Sequence, residues 1–227
     1  MSAALATPAT PAIRADQICA VVLAGGEGRR MGGVDKGLQV LHGQPLARHA
    51  LQRLQEQTLG VPRTLAINAN RSQSVYASWG CPVWADTVGG FAGPLAGFHT
   101  ALEHCAATHD YLLTVPCDSP LFPLDLLARL AQALGTGQAD VAMACAPDGP
   151  QDHSVRRQPV FCLLKTSLYA SLSAYLHAGG RKIDAWTQAQ HQVDVAFNLA
   201  QDDPRAFFNA NTLAELQTLE DPTSTLL

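Results

Sequence analysis

The 227-residue sequence is poor in charged and aromatic residues, which make up 15% and 6% of the chain. Its basic residues form no continuous stripe and its formal net charge is −4, so the pattern does not favour a nucleic-acid partner. No run approaches the roughly 18 apolar residues of a membrane span, so no membrane partner is predicted. With 47% hydrophobic residues, the chain has the composition of a globular protein with a sizeable core.

Metal and nucleophile patterns are also missing. The sequence contains six cysteines and eight histidines but no C-x-x-C or H-x-x-x-H pair, and its cysteine spacings match no zinc site. Most cysteines lie within apolar runs, which predicts buried free thiols and a protein of the reducing cytoplasm. These cysteines are Cys19, Cys81, Cys105, Cys117, Cys145 and Cys162.

Residues 1–16 are rich in alanine, proline and threonine and lack the basic start of a signal peptide. We therefore expect a disordered tail over 1–16. No later stretch is rich enough in glycine, serine or proline to divide the chain, so residues 17–227 are predicted to form a single domain.

Short apolar runs alternate with segments of helical periodicity from residue 18 onward. This order predicts an α/β fold, a doubly wound and mostly parallel sheet with helices on both faces. Ligands of such sheets bind beyond the carboxyl ends of the strands. The predicted strands are 18–23, 64–67, 83–85, 111–115, 141–144 and 159–164, and the predicted helices are 45–57, 94–105, 124–134, 166–176, 182–191 and 211–219.

A glycine-rich loop follows the first predicted strand, over residues 23–36. Its glycines allow close approach of the backbone to a ligand, while Arg29, Arg30 and Lys36 add positive charge. A Walker loop requires serine or threonine after the lysine, but Gly37 stands there. The third glycine of a dinucleotide fingerprint is also absent. The combination favours a triphosphate site of another kind.

Polar residues follow three more predicted strands. Asp118 lies between Pro116 and Pro120 and supplies a hard oxygen ligand of the type that Mg²⁺ prefers; the less favoured alternative is that it merely caps the next helix or turn. Asn68 and Asp86 are candidates for hydrogen bonds to a base or ribose, although either could be a simple turn residue. If the strands are parallel, these side chains and the glycine loop converge on one edge of the sheet.

The sequence of this loop, Leu-Ala-Gly-Gly-x-x-x-Arg-Met-Gly-x-x-Asp-Lys, resembles that of the molybdenum cofactor guanylyltransferases. Four further segments agree in order and spacing, so the resemblance covers about residues 17–219. They are 68–71 (Asn-Ala-Asn-Arg), 93–97 (Gly-Pro-Leu-Ala-Gly), 116–120 (Pro-Cys-Asp-Ser-Pro) and 209–212 (Asn-Ala-Asn-Thr).

The resemblance implies a Rossmann-like nucleotidyltransferase fold and a reaction. GTP and magnesium bind, the terminal phosphate of molybdenum–molybdopterin attacks the α-phosphorus, and pyrophosphate leaves, giving a guanine dinucleotide cofactor. Further partners would be molybdenum-insertion proteins and apo-molybdoenzymes or their chaperones. The implied nucleotide contacts are Leu23, Ala24, Gly25, Asn68 and Asp86; the implied catalytic residues are Arg30, Lys36 and Asp118, with Asp118 holding the metal; weaker candidates for the pterin side are Arg181, Lys182, Asn209 and Asn211.

Three alternatives remain open at this point. A CTP-using relative typically has Leu-Ala-Ala-Gly, whereas Gly25-Gly26 and the 93–97 segment favour GTP. Sugar-phosphate nucleotidyltransferases also begin with Leu-Ala-Gly-Gly, but usually continue with Thr-Arg and a later Pro-Lys that this chain lacks. A catalytically silent nucleotide-binding adaptor would be expected to lose Lys36 or Asp118, and both are present.

Overall fold

The computed structural model describes residues 13–26, 34–89, 93–135, 139–147, 154–210 and 212–220. Within them the strands are β1 (Ile18–Leu23), β2 (Val40–Leu41), β3 (Gln44–Pro45), β4 (Thr64–Asn68), β5 (Val83–Trp84), β6 (Tyr111–Pro116), β7 (Val141–Pro147), β8 (Val155–Lys165) and β9 (Gln192–Ala196). The helices are α1 (Leu46–Gln55), α2 (Gln73–Ala77), α3 (Pro94–Cys105), α4 (Leu126–Gly135), α5 (Tyr169–His177), α6 (Ile183–Thr187) and α7 (Leu213–Glu220).

Seven of the described strands form one sheet in the order β5-β4-β1-β6-β8-β7-β9. All pair in parallel except β8, which is antiparallel to both of its neighbours. The mostly parallel α/β sheet predicted from the sequence is thereby confirmed. Strand β1 is fully buried along almost its whole length, as its unbroken apolar sequence predicts.

Helices cover both faces of the sheet. On one face, α1 and α4 bury their apolar sides in the larger hydrophobic cluster. On the other, α3, α5 and α6 pack over β1, β6, β7 and β8 in a second cluster that includes Leu95, Phe98, Leu102 and Cys105. These four recur at helical spacing along α3, so the sequence periodicity identified the buried side of that helix correctly.

The structure corrects the prediction of one helix over 182–191. Helix α6 ends at Thr187, and Gln192–Ala196 form the edge strand β9 beside β7. The alternation of Val193 and Val195 with polar residues is a strand signal, but it is only five residues long. The β2–β3 hairpin and helix α2 are also too short to produce a clear periodicity.

The packed part of the chain begins earlier than the sequence predicts. Ile13, which the sequence assigned to the tail, is 1% exposed and belongs to the larger hydrophobic cluster. Arg14 forms an ion pair with Asp16 just before β1. The domain therefore begins by residue 13 rather than at 17, and residues 1–12 lie outside the described ones.

Two further sequence predictions concern cysteines and membranes. All six cysteines are free thiols, and every one except the half-buried Cys81 is buried, as predicted. Over the part of the chain that the structure describes, no helix has both the length and the apolar character needed to cross a bilayer.

A buried hydroxyl stabilises the junction at which the sheet changes from parallel to antiparallel. Thr114 of β6 is fully buried and its Oγ1 donates to the Val160 carbonyl of β8 at 2.7 Å. Thr114→Val keeps the side-chain shape but removes this donor, so the free energy of unfolding should fall by about 1–3 kcal/mol in urea denaturation. Thr218→Val removes a hydroxyl bonded within its own helix and should cost less than about 0.5 kcal/mol. Equal losses for the two variants would contradict the prediction.

Candidate active site

The carboxyl ends of four parallel strands meet at one edge of the sheet. Leu23 at the end of β1 is in register with Asn68 of β4 on one side and with Pro116 of β6 on the other. Asn68 is in turn in register with Trp84 of β5. Parallel pairing therefore brings the glycine loop and the residues after β4, β5 and β6 together, as predicted from the order of the elements.

The backbone continues this pairing beyond the strands. The Ala24 N–H donates to the Asn68 carbonyl at 2.8 Å, and the Cys117 N–H donates to the Leu23 carbonyl at 3.1 Å. Leu23, Ala24 and the following Gly25 are consequently fixed between the two neighbouring strand ends. The backbone at the start of the glycine loop is thereby held in a defined position at the edge of the sheet.

Amide groups hold the carboxylate of Asp86. Asn68, which is 2% exposed, donates from Nδ2 to Asp86 Oδ1 at 2.8 Å and also to the Trp84 carbonyl at 3.1 Å. Asn70 donates to Asp86 Oδ2 at 2.7 Å and accepts from the Asp86 backbone N–H at 2.8 Å. Both carboxylate oxygens are therefore oriented by neutral donors, which leaves the negative charge of Asp86 available to a hydrogen-bond donor of a ligand.

Two glycines allow the surrounding elements to approach this network. A Cβ on Gly25 would stand 3.2 Å from Asn68 Oδ1 and 3.3 Å from Asn70 Nδ2. A Cβ on Gly97, in the first turns of α3, would stand 2.5 Å from Asn68 Oδ1 and 2.9 Å from the Leu23 side chain. Gly97 thus permits α3 to pack directly over the end of β1 beside the buried amide of Asn68.

Lys36 and Asp118 form an ion pair at the same edge. Lys36 Nζ lies 3.1 Å from Asp118 Oδ2, and the two side chains are 20% and 18% exposed. The sequence predicted a phosphate-binding lysine and a metal-binding carboxylate separately. The structure shows that they contact each other across the ends of the glycine loop and β6.

The residues next to Lys36 and Asp118 in the chain are themselves fixed by bonds or burial. Asp35 Oδ1 accepts from the Gly37 N–H at 3.1 Å and from the Tyr76 hydroxyl at 2.6 Å. Burial and the bond to Asp35 raise the pKa of Tyr76, so its hydroxyl stays protonated and donates. Burial and then the charge of Asp118 raise the pKa of the Cys117 thiol, which makes Cys117 a neutral filler and not a nucleophile.

The segment after α6 and β9 returns to the loop that contains Asp118. The Ala210 N–H donates to the Asp118 carbonyl at 2.8 Å, and the fully buried Ser119 hydroxyl donates to Asn209 Oδ1. The predicted pterin-side residue Asn209 is therefore adjacent to the predicted metal ligand. This contact joins two sequence motifs that are far apart in the chain.

Two other predicted site residues, Arg181 and Lys182, lie in the connection between α5 and α6. Arg181 donates to the Leu176 and Gly180 carbonyls, and the Lys182 carbonyl accepts from Tyr175, so the bonds described for both stay within the α5–α6 connection. Arg30, predicted to be catalytic, and Asn211 lie outside the described residues.

Sequence reasoning missed three residues of the site. In the sequence, Asn70 and Asp35 stand out only as members of motifs, and Tyr76 belongs to no motif. The Asn-x-Asn spacing after a strand is a signal that could have identified Asn70 as a second amide directed at one carboxylate. Nothing in the local sequence indicates that Tyr76 reaches Asp35.

The donors at Asp118 are compatible with magnesium. Among the described residues no group of three or more His, Cys, Asp or Glu side chains forms a ready-made metal cluster. Magnesium, however, is commonly held by one or two carboxylates together with phosphate oxygens and water. A partly exposed carboxylate whose present counter-ion is an ammonium group is suited to that arrangement.

The sheet, the glycine loop after β1 and the charged residues at its carboxyl edge define an NTP transferase domain. Residues 20–194 match the family described as "MobA-like NTP transferase domain". The chain is 55% identical to the molybdenum cofactor guanylyltransferase of Acidovorax ebreus (strain TPSY), over 89% of this chain and 95% of that protein. It is also 55% identical to the molybdenum cofactor guanylyltransferase of Albidiferax ferrireducens, over 92% of this chain and 98% of the relative. The chain belongs to the molybdenum cofactor guanylyltransferase family and is a nucleotidyltransferase.

A solved structure shares the fold. The molybdopterin-guanine dinucleotide biosynthesis protein A of Archaeoglobus fulgidus superposes with a TM-score of 0.68 at 20% identity, covering 88% of this chain and 96% of that one. At this level of identity the likeness concerns the fold, and it agrees with the doubly wound sheet described above.

The close approach of α3 to Asn68 gives a direct test of the amide network. Gly97→Ala inserts a methyl group 2.5 Å from Asn68 Oδ1, so either α3 or the amide must shift, and the contact between α3 and the network that orients Asp86 is disturbed. We expect the Kd of the bound nucleoside triphosphate to rise about tenfold in calorimetry, while the fold is retained in circular dichroism. A variant that binds the nucleotide as the wild type does would show that this packing does not set the site.

Proposed function

We propose that this protein transfers GMP from GTP to the terminal phosphate of the molybdenum–molybdopterin cofactor, releasing pyrophosphate and forming the guanine dinucleotide cofactor. The observation that carries the proposal is the pairing of Lys36 with Asp118 at the carboxyl edge, in a chain 55% identical to molybdenum cofactor guanylyltransferases. In this reaction an oxygen of the cofactor phosphate bonds to the α-phosphorus of GTP. The bond from that phosphorus to the pyrophosphate oxygen breaks, so no external redox partner is needed.

The backbone of Leu23, Ala24 and Gly25 would contact the nucleotide from the end of β1. Asn68 and Asp86 would recognise the base or ribose, since the amides that orient Asp86 leave it as an acceptor facing the edge of the sheet. The GTP preference is supported by Gly25-Gly26 and by the 93–97 segment, which also lets α3 approach this network through Gly97.

Lys36 would bind the triphosphate and Asp118 would hold magnesium, while Arg30 would add positive charge from the loop. Magnesium bound here would neutralise the phosphate charge that develops on the leaving pyrophosphate. Before substrates bind, the ammonium and carboxylate groups neutralise and orient each other at 3.1 Å. A triphosphate would give Lys36 a new partner of opposite charge, and a bound magnesium ion would give Asp118 one, so neither group would be left unpaired.

The pterin would occupy the side of the edge nearer to Asn209, with Arg181, Lys182 and Asn211 as further candidates. Asn209 supports this assignment because it contacts the loop that carries Asp118. We propose the cytoplasm as the site of action, which the six free thiols support. Molybdenum-insertion proteins would supply the substrate, and apo-molybdoenzymes or their chaperones would receive the product.

Pyrophosphate release with each of the four nucleoside triphosphates, with and without molybdopterin, tests this function. We expect release with GTP and only when the molybdenum–molybdopterin cofactor is present. Release with CTP would change the nucleotide assignment to that of a cytidylyl transferase. Release with GTP and a sugar phosphate in place of the cofactor would contradict the proposed acceptor.

Removing the carboxylate charge at position 118 tests the metal assignment. Asp118→Asn keeps the side-chain volume, and we expect magnesium-dependent pyrophosphate release to fall at least a hundredfold because the metal loses its protein ligand. Asp110→Asn, at the opposite edge of the sheet where Asp110 accepts from Gln17, is the matched control and should retain wild-type turnover. Undiminished turnover of Asp118→Asn over a magnesium titration would exclude Asp118 as the ligand.

Removing the ammonium group at position 36 tests the phosphate assignment. Lys36→Ala should weaken GTP binding by about 1.5–3 kcal/mol in calorimetry, because a charged contact to phosphate is lost. Lys165→Ala is the matched control, since Lys165 is paired with Asp140 at 2.8 Å and pairs in register with Tyr111 at the other edge. The lysine assignment is wrong if the two variants bind GTP equally well.

A further inference from the structure

One short segment contacts both described ends of the glycine loop. This segment, residues 71–76, follows β4 and includes all of α2 except its last residue. Arg71 reaches the loop at Gly26, and Tyr76 reaches it at Asp35, directly before Lys36. The same short segment therefore holds the loop at two points, one at each described end.

The contact at Tyr76 is buried and directional. The side chain is 0% exposed, and its ring packs edge-on against Trp79 with centroids 5.1 Å apart. Its hydroxyl donates at 2.6 Å to Asp35 Oδ1, which the Gly37 N–H also approaches at 3.1 Å. A phenylalanine would fill the same space without the cost of burying a hydroxyl, so the hydroxyl has a purpose other than packing.

The carboxylate of Asp35 depends on this donor. Its other oxygen, Oδ2, is buried and has no hydrogen-bond partner among the described residues. Among the described residues, the hydrogen bonds that orient this side chain are therefore those to Oδ1, from the Tyr76 hydroxyl and the Gly37 N–H. Gly37 itself is required here, because a Cβ at this position would overlap the Tyr76 oxygen. Asp35 and Gly37 flank Lys36, so their positions fix the backbone from which the lysine side chain extends.

The contact at Arg71 is on the surface. Its guanidinium donates to the Gly26 carbonyl at 2.9 Å, which fixes the carbonyl group one residue after Gly25. Gly25 is the glycine that approaches Asn68 and Asn70. Arg71 therefore links the end of β4 to the part of the loop next to the amide network.

We propose that Tyr76 and Arg71 are positioning residues for nucleoside triphosphate binding, which hold the two ends of the glycine loop so that Lys36 and the Gly25–Gly26 backbone are oriented before the nucleotide arrives. The inference rests on the proposed function for the identity of the nucleotide, but the contacts of Tyr76 and Arg71 with the loop do not depend on it. A loop that is ordered before the ligand arrives loses less conformational entropy on binding. Loss of the Tyr76 or the Arg71 contact should therefore weaken binding. Tyr76 acts through Asp35 on Lys36, whereas Arg71 acts on the other end.

Tyr76→Phe and Arg71→Gln test the proposal in calorimetric titrations with each of the four nucleoside triphosphates. We expect Tyr76→Phe to raise the Kd of the nucleotide that the wild type binds about tenfold, and Arg71→Gln to raise it about threefold. In turnover assays the KM for that nucleotide should rise, while kcat and the KM for the molybdopterin acceptor stay near wild type. If the residues had a purely structural role, the substitutions would lower the melting temperature without raising the KM for the nucleotide selectively.

Two matched controls lie at the opposite edge of the sheet. Tyr111→Phe removes a tyrosine hydroxyl at the start of β6, and Arg63→Gln removes an exposed guanidinium that donates to the Thr108 carbonyl. Both should bind the nucleotide as the wild type does. The melting temperature of each variant identifies any loss that comes from partial unfolding, and the exposed Arg71 variant keeps the test valid if Tyr76→Phe is too unstable.

A double-mutant cycle separates the possible routes. In the Lys36→Ala background, Tyr76→Phe should cause no further loss of affinity, because its effect passes through Lys36. Additive losses, or a Tyr76→Phe variant with wild-type Kd, would overturn the positioning role of Tyr76. Binding of a triphosphate other than GTP would contradict the proposed function. The positioning role would then be tested by the same Kd comparison with the nucleotide that binds. Absence of any triphosphate binding by the wild type would overturn both proposals.

Discussion

Parallel pairing of β1 with β4 on one side and β6 on the other fixes the place of the candidate active site. Leu23, Asn68 and Pro116 are in register across three adjacent strands, so the chain leaves the sheet at the same level three times. The glycine loop, the amide network and the loop that carries Asp118 lie together because these three strands end at the same level. Because β1 is buried on both faces and central to this half of the sheet, its register cannot slip without exposing the core.

Two carboxylates at this edge are held in different ways, which suits them to different tasks. Asp86 is bonded by the neutral amides of Asn68 and Asn70, so its charge is oriented but not neutralised. Asp118 is paired with Lys36 at 3.1 Å, so its charge is neutralised. The first arrangement leaves a charge available to a hydrogen-bond donor, and the second suits the exchange of partners that we propose for binding of a metal triphosphate.

Close approach depends on glycine at several points of this edge. Gly25, Gly37 and Gly97 each stand where a Cβ would crowd Asn68 or overlap the hydroxyl oxygen of Tyr76. Their role is spatial, since none of the three has a positive φ. They let the loop, the lysine turn and α3 pack directly against polar side chains, which keeps the donors and acceptors of the site at hydrogen-bond distance.

The sequence by itself determined the fold class, the edge at which the site lies, and the family. Unbroken apolar runs gave β1 and β6, helical spacing gave the buried side of α3, and the loop ending in Asp35-Lys36 pointed to a triphosphate. These signals are local, because burial of a strand or a helix face imposes a period on neighbouring residues. The roles assigned to Lys36, Asp118 and the other site residues remain predictions.

Only the tertiary structure decided which side chains meet. The Lys36–Asp118 pair, the second amide on Asp86 and the bond from Tyr76 to Asp35 join positions from separate elements. The strand order sets those neighbours, and no local pattern records it. The short strand β9 escaped prediction for a related reason: its pairing with β7, more than its five-residue pattern, makes it a strand.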